Sequence, residues 1–278
     1  MESLPDQVAL RQCVLAVSVL NNLDLEPADD GVRIASGRVL PWSALRAGLR
    51  GTDPVSPVAR VRLATWLRAV TALAWRSPQD LASRARPVGL PVGHVHHPGP
   101  AWVREPVLGG ALDLGVGLVG VGSDPDAVIV APAGVLAACG HDDAGWWPDC
   151  RDYLDRMGEL AAVRYRRDPR QPLRPMGDCD VATLLGSARL RQELVGTDGM
   201  RAAAVPTRSR GWLDLSRIDP AFALAAASLA GDDERGFERP LLLTIDEVVL
   251  ARPGGDPALE ALRDAAAPDP VLPAVRYR

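Results

Sequence analysis

The stretch Ala111-Leu112-Asp113-Leu114-Gly115-Val116-Gly117-Leu118-Val119-Gly120-Val121-Gly122 is the clearest buried strand of the chain and carries its one nominal cofactor fingerprint. Side chains alternate between the two faces of a strand, so Leu112, Leu114, Val116 and Leu118 share one side while Ala111, Asp113, Gly115 and Gly117 share the other. The first side requires a core. The second is nearly bare, and a bare face admits a backbone, an aromatic ring or a ligand at close range.

Gly115-x-Gly117-x-x-Gly120 formally matches the dinucleotide-binding pattern. In that pattern the glycines turn a strand into a helix whose free N–H groups hold the pyrophosphate. Here residues 121–126, V-G-S-D-P-D, read as a turn and residues 127–130, A-V-I-V, as another strand. The glycines are therefore expected to be pleated backbone inside a sheet. Neither an NAD nor an ATP motif stands in its working context.

With 278 residues, of which 47% are hydrophobic and 24% charged, the composition is that of a folded soluble protein with one large domain or two smaller ones. No apolar run reaches transmembrane length, and the opening M-E-S-L-P-D lacks the basic and apolar regions of a signal peptide, so a cytoplasmic location is expected. All 31 basic residues are arginine, which a GC-rich coding bias explains more economically than a role for each guanidinium. Residues 1–90 carry 11 arginines against 8 acidic residues, net +3, leaving net −7 for the remainder. Neither part has the basic field that nonspecific nucleic-acid binding needs. Cys13, Cys139, Cys150 and Cys179 form no C-x-x-C pair and read as free thiols.

Outward from the glycine strand, helices are expected at 6–22, 42–49, 57–75 and 78–83, with a hairpin from 32–34 and 39–40. Leu10, Cys13, Val14, Val17 and Leu20 form the inward face of the first helix, and Ser56-Pro57 and Ser77-Pro78 are start signals for the last two. Residues 87–100, rich in proline and glycine, read as a stiff extended linker or loop near a boundary at residue 90. Beyond it the pattern predicts an edge strand or irregular extended segment at 102–108, strands at 127–130, 200–206, 212–215 and 241–244, and an extended or helical piece at 248–250. Helices are predicted at 132–139, 146–167, 180–194 with a break at Gly186-Ser187, 220–229 and 257–267, then an extended tail over 268–278. The 146–167 helix is expected to bury Tyr153, Leu154, Met157, Leu160 and Ala161.

The expected class is a mixed α+β or α/β fold: a mostly helical N-terminal region with a small hairpin over 1–90, then a mixed-sheet C-terminal domain over 91–278 covered by helices. Because the hairpin precedes the two best helices, the order is not that of a winged helix, and DNA binding is disfavoured by order as well as by charge.

His94-x-His96-His97 is the best metal candidate. In an extended segment His94 and His96 point the same way and could chelate one zinc, with His141, or Asp142 or Asp143 beside it, as a further ligand. Such a zinc would polarise water for hydrolysis. The spacing resembles the H-x-H-x-D-H of metallo-β-lactamases in its first half alone, since Pro98 and Gly99 stand where the acid and the last histidine belong. The ordinary alternative is a set of hydrogen-bonding histidines. Among the thiols, Cys150 is the one placed at a helix N-terminus, with Asp149 and Asp152 opposing the dipole. No G-x-S-x-G, H-E-x-x-H or Walker loop occurs.

Arg164, Arg166, Arg167 and Arg170 form the one basic cluster, suited to an anion or an acidic partner, or to the dipole at a helix C-terminus. Asp178, Asp180, Asp246 and Glu247 could serve acid/base chemistry or Mg²⁺, although helix capping suits Asp178 or Asp180 better. The leading expectation is a cytoplasmic binding or assembly protein acting through a protein-protein surface. A metal-dependent hydrolase or transferase built on His94, His96 and His141 is the second reading and a nucleic-acid-binding protein the third. The expected partner is a protein, a small molecule stays open, nucleic acid is disfavoured, and no membrane contact is encoded.

Overall fold

The computed structural model of the chain describes residues 4–49, 51–121, 126–132, 134–244 and 248–250; Asp246, Glu247 and the elements expected at 257–267 and 268–278 lie outside the described residues. Helix α1 (Leu4–Asn21) leads into β1 (Leu25–Pro27), β2 (Gly31–Ile34) and β3 (Val39–Pro41), then α2 (Trp42–Gly48), α3 (Pro57–Leu73) and α4 (Pro78–Arg84). Next come β4 (Ala85–Pro91), β5 (Glu105–Val107), β6 (Leu112–Val119), β7 (Val128–Ile129), α5 (Val135–Ala138) and α6 (Trp147–Arg167). The chain continues with α7 (Val181–Leu184), α8 (Ala188–Val195), β8 (Met200–Thr207), β9 (Arg210–Trp212), α9 (Pro220–Leu229), β10 (Leu241–Thr244) and β11 (Val248–Leu250). The described strands form three sheets, ordered β1-β2-β3, β4-β6-β5 with β7 added to β6, and β11-β10-β8-β9. Every pairing among them is antiparallel, which makes the class α+β.

Local chemistry sets the helix starts. Ser56 and Ser77 accept from the backbone N–H of Ala59 and Asp80, and the prolines that follow them occupy first-turn positions whose N–H would be unpaired anyway. The expected break at Gly186-Ser187 separates α7 from α8. Asp180 caps the first by accepting from Thr183 N–H at 2.7 Å, and Ser187 caps the second by accepting from Leu190 N–H.

Leu10, Cys13, Val14 and Val17 pack with Leu63, Leu67 and Val70 of α3 in the first core. Leu20, expected to join them, is 73% exposed. It sits about 70° off the centre of the buried arc at 100° per residue, in the last turn before the chain reverses at Asn22. Leu160 is likewise exposed, because the inward arc of α6 runs through Leu154, Gly158, Ala161 and Tyr165 instead. Gly158 lets that helix lie directly on Ser187, where a Cβ would have no room. Residues 212–215 turn out of the sheet after Trp212, since Asp214 accepts from Ser216 N–H and starts a short helical turn.

Residues 87–91, read as the start of a stiff connector, are instead the second half of β4, paired with β6 from Ala85↔Leu118 to Pro91↔Leu112. Prolines are tolerated there because β4 is an edge strand, where a missing N–H breaks no ladder on the outer side. The outward Gly89 N–H is met by the Thr183 hydroxyl at 2.8 Å, so α7 closes the edge.

Strand β6 is the spine of the molecule. Leu112 and Leu114 enter the largest core, with Leu154, Leu190, Val205 and Leu241. Val116 meets Ala85 and Cys150, and Leu118 enters the first core with Val70, Val135 and Cys139. The stretches on either side of residue 90 therefore share packing as well as chain. On the opposite face of β6 the Trp102 indole lies against Gly115, so closely that a Cβ there would fall inside the ring's contact distance. Gly115→Val should therefore unfold the protein at markedly lower urea, and Trp102→Ala should cost about 3–5 kcal/mol as a large-to-small core change. Equilibrium denaturation measures both, and a wild-type midpoint for Gly115→Val would contradict the close approach.

Candidate functional site

The glycine face expected to admit a backbone, a ring or a ligand holds a ring. Trp102 donates its Nε1–H to the Val116 carbonyl at 2.8 Å, and His97 meets the indole edge-on with ring centres 5.3 Å apart. His97 Nδ1 accepts from Gly99 N–H, which leaves the proton on Nε2, donated to Asp113 Oδ2 at 2.9 Å. The strand continues through Gly117 to Val119, so pleated backbone stands where the dinucleotide pattern would need a helix start.

His94 and His96 come together, with ring centres 5.6 Å apart, yet not as parallel ligands. The loop reverses at Gly93, whose φ is +86°, so the segment is turned rather than extended and the rings tilt by 50°. His94 Nδ1 accepts the His96 backbone N–H, and His96 Nε2 reaches Asp233 at 2.8 Å. His141 belongs elsewhere, after α5, where Arg38 from the β2–β3 turn lies against Gly140 and Asp143 is paired with Arg104. The set His94, His96 and His141 is thus not assembled. Among the described residues, no group of three or more His, Cys, Asp or Glu side chains is arranged to hold a metal ion.

What surrounds His94 is a polar cluster from three loops. The turn after β8 supplies Arg208, whose backbone N–H bonds Glu234 and whose guanidinium pairs with Asp180 at 2.6 Å. The loop before β10 supplies Arg235, facing Thr207 across an antiparallel bridge and paired with Asp232 at 3.2 Å. His94 is 9% exposed, and its Nε2 is buried with no hydrogen-bond partner, as are Nε of Arg208 and Nε of Arg235. Burial first, then the charges of Arg208, His96 and Arg235, lower the His94 pKa to about 4, with Asp233 opposing them. Neither arginine was marked by the sequence, where each is one among 31.

The Arg164–Arg170 group closes off the end of α6. Arg164 donates to the Pro175 carbonyl, and Arg166 forms a two-point pair with Glu193 of α8, while Arg167 and Arg170 are exposed. Beside them a cleft is lined by Arg164, Tyr165, Asp168, Leu173, Arg174 and Leu190. Asp178 does not cap a helix. It receives Arg86 at 2.5 Å and the Tyr153 hydroxyl at 3.2 Å, and so ties β4 to α6. In the first 90 residues Arg62 donates to Thr52, Arg68 to Asn21, and Arg76 and Arg84 both to Asp80, so these charges are committed locally.

A second concavity lies between α1 and the β1–β2 hairpin, lined by Arg11, Leu15, Leu25, Pro27, Val32 and Trp42. Arg11 sits over the Trp42 ring at 5.2 Å, and the indole Nε1–H is buried with no partner. Neighbouring it on α1, Val8, Leu15 and Val19 are 52%, 51% and 81% exposed.

All four cysteines are buried free thiols. For Cys150 the helix N-terminus favours a thiolate, but desolvation dominates and pushes its pKa up to about 12; burial raises Cys139 to about 11 and Cys13 and Cys179 in the same direction. No helix among the described residues is long and apolar enough to cross a membrane. Comparison with protein families, curated proteins and solved structures finds no match.

Two outcomes follow from this burial. The fold holds His94 neutral, so as pH falls the unfolded chain takes up that proton first. Its contribution is fully present above about 6.5 and is lost between there and about 4. Replacing it, in His94→Asn, should reduce the pH 7 to pH 4 loss of unfolding free energy by up to about 3 kcal/mol, read from urea titrations of both proteins in which the remaining carboxylates cancel. Parallel pH profiles would contradict a buried neutral ring. For the thiols, a disulfide exchange reagent should release no colour from the native protein on the minute scale and react with four thiols after denaturation.

Proposed function

We propose that the chain is a cytoplasmic binding or assembly protein that docks a segment of a partner protein along the outer side of α1. The observation that carries this reading is the line Val8, Leu15, Val19. At spacings of seven and four these residues share one side of the helix, opposite the Leu10 and Val17 side that is packed in the core. Single exposed apolar residues are ordinary, whereas an aligned apolar row beside a groove is the usual mark of an interaction site. From Val8 to Val19 the row covers eleven steps along the helix, about 16 Å at 1.5 Å each, which suits a length of polypeptide better than a small molecule.

The adjoining groove supports the same partner chemistry. It is largely apolar, with Trp42 and Val32 among its lining residues and Arg11 over the Trp42 ring. A peptide segment brings apolar side chains for the floor together with polar groups for the Arg11 guanidinium. Four free thiols with no disulfide fit a reducing compartment.

The experiment is a pull-down with tag-free protein from the native host, run side by side with the Leu15→Asp, Val19→Asp double variant. Both residues are half or more exposed, so the melting temperature should stay within about 2 °C of wild type. Proteins retained by the wild type and absent from the variant are the expected result. An identical retained set on a variant of unchanged melting temperature overturns the proposal.

A further inference from the structure

The apolar side of α1 continues onto α3. The Asn21 side chain accepts from Arg68 of α3, and eight residues earlier on both helices the Arg60 charge acts on the Cys13 thiol, so the two helices run side by side in the same direction. Leu20, seven residues on from Cys13, lies on the flank of α1 next to α3 and is 73% exposed. On α3, Val61 shares a side with Arg68 at the same spacing, and Trp75 follows just past the C-cap; they are 68% and 65% exposed, with Val58 at 54%. More than half of the exposed large apolar side chains among the described residues thus belong to α1 and α3 or flank α3. So large a share on one pair of helices marks an interaction surface rather than the usual scatter of single residues.

Charge and shape narrow the occupant. Helix α3 contains Arg60, Arg62 and Arg68, all exposed, and no acidic residue. Arg62 donates to the Thr52 hydroxyl and Arg68 to the Asn21 amide oxygen, neutral acceptors that hold the guanidiniums in place without cancelling their charge. Among the described residues neither these three nor Arg11 is paired with a carboxylate, whereas Arg33, Arg76 and Arg84 each are. The neighbouring acids stand at the edges: Asp6 in the first turn of α1, Asp53 before α3 with its carboxylate on the Val55 N–H, and Asp24 beyond α1. The middle of the face is therefore positive. A second copy of it would set arginine against arginine, while an acidic partner balances them. Two packed helices offer ridges and grooves of side chains but no free strand edge, so the segment that fits is a helix.

We propose that the occupant of this face is an acidic amphipathic helix lying along the seam of α1 and α3, with its aliphatic row on Leu15, Val19, Leu20 and Val61 and its carboxylates on Arg60 and Arg68. The proposal rests on the reading of α1 as a docking surface and adds the chemistry and the conformation of the partner. A helix of three turns, about 16 Å long, covers the row on α1 and the stretch from Val58 to Arg68 together.

The test titrates the full chain into a fluorescent peptide of three Glu-Leu-Leu-Glu-Ala-Leu-Glu repeats and follows its anisotropy. Two control peptides carry Lys in place of every Glu, or the same residues scrambled so that no apolar side forms. The expected result is saturable binding of the acidic peptide, about tenfold or more tighter than either control and weakened severalfold by added salt. Arg60→Glu with Arg68→Glu should reverse the preference toward the Lys peptide, and Leu15→Asp with Val19→Asp should abolish binding of both, at melting temperatures within about 2 °C of wild type. The peptide comparisons on wild-type protein decide even where a variant unfolds. Equal binding of the acidic and Lys peptides, both lost in Leu15→Asp with Val19→Asp, would overturn the acidic partner and leave the docking role of α1 standing. No binding of the acidic peptide, equal binding of the scrambled one, binding to phosphatidylglycerol vesicles in its place, or a dimer in sedimentation that Leu15→Asp with Val19→Asp dissolves would each overturn the proposal too.

Discussion

The contact between the Trp102 indole and the bare face of β6 places everything on that side of the molecule. An indole can lie flat on a strand only where a residue has no Cβ, and Gly115 supplies that gap. The ring's one polar atom is satisfied by the Val116 carbonyl of the same strand, so its burial leaves no donor unpaired. His97 then packs on the indole edge and holds Asp113, the one carboxylate on that face of β6. These contacts fasten the far end of the 92–100 loop. Its near end, with His94, is thereby held against the β8–β9 turn.

The opposite face of the same strand does the work of joining. At about 3.3 Å per residue the distance from Leu112 to Leu118 is roughly 20 Å, long enough to pass from one core into another. Each fully buried leucine there contributes about 1.5–3 kcal/mol, so β6 is anchored at both ends by apolar burial rather than by its hydrogen bonds alone. Helices α6 and α7 complete the arrangement by covering β4. Through Thr183 on Gly89 and the Arg86–Asp178–Tyr153 contact, the covered edge is closed to further strands.

Polar groups divide into those that end in a partner and those that do not. Many arginines among the described residues are spent on nearby carboxylates or carbonyls at the surface, where such pairs add little stability. Against that background the unsatisfied nitrogens of His94, Arg208, Arg235 and Trp42 stand out, because a buried donor cannot be discharged to solvent. Arg104, His141 and Arg191 carry such buried nitrogens as well.

Periodicity and capping were enough to locate the helices and most strands, because those signals act over a few residues. Ser56-Pro57, Ser77-Pro78 and Gly186-Ser187 start or divide helices by local hydrogen bonding, and the alternation over 112–118 separates its two faces without reference to anything distant. The edge strand at 85–91 was hidden by its prolines, whose meaning depends on which side of a sheet they face. Leu20 and Leu160 were misassigned because the arc a helix buries depends on its neighbour. His94 and His96 share a side in an extended chain, but the turn at Gly93 and the pull of Asp233 point them apart, while His141 is held beside Arg38. Burial of Nε on Arg208 and Arg235 arises where three loops distant in sequence meet. A local pattern can say which residues are able to form a helix or a face, but only the assembled chain decides which polar atoms lose water, since desolvation is a property of everything packed around them.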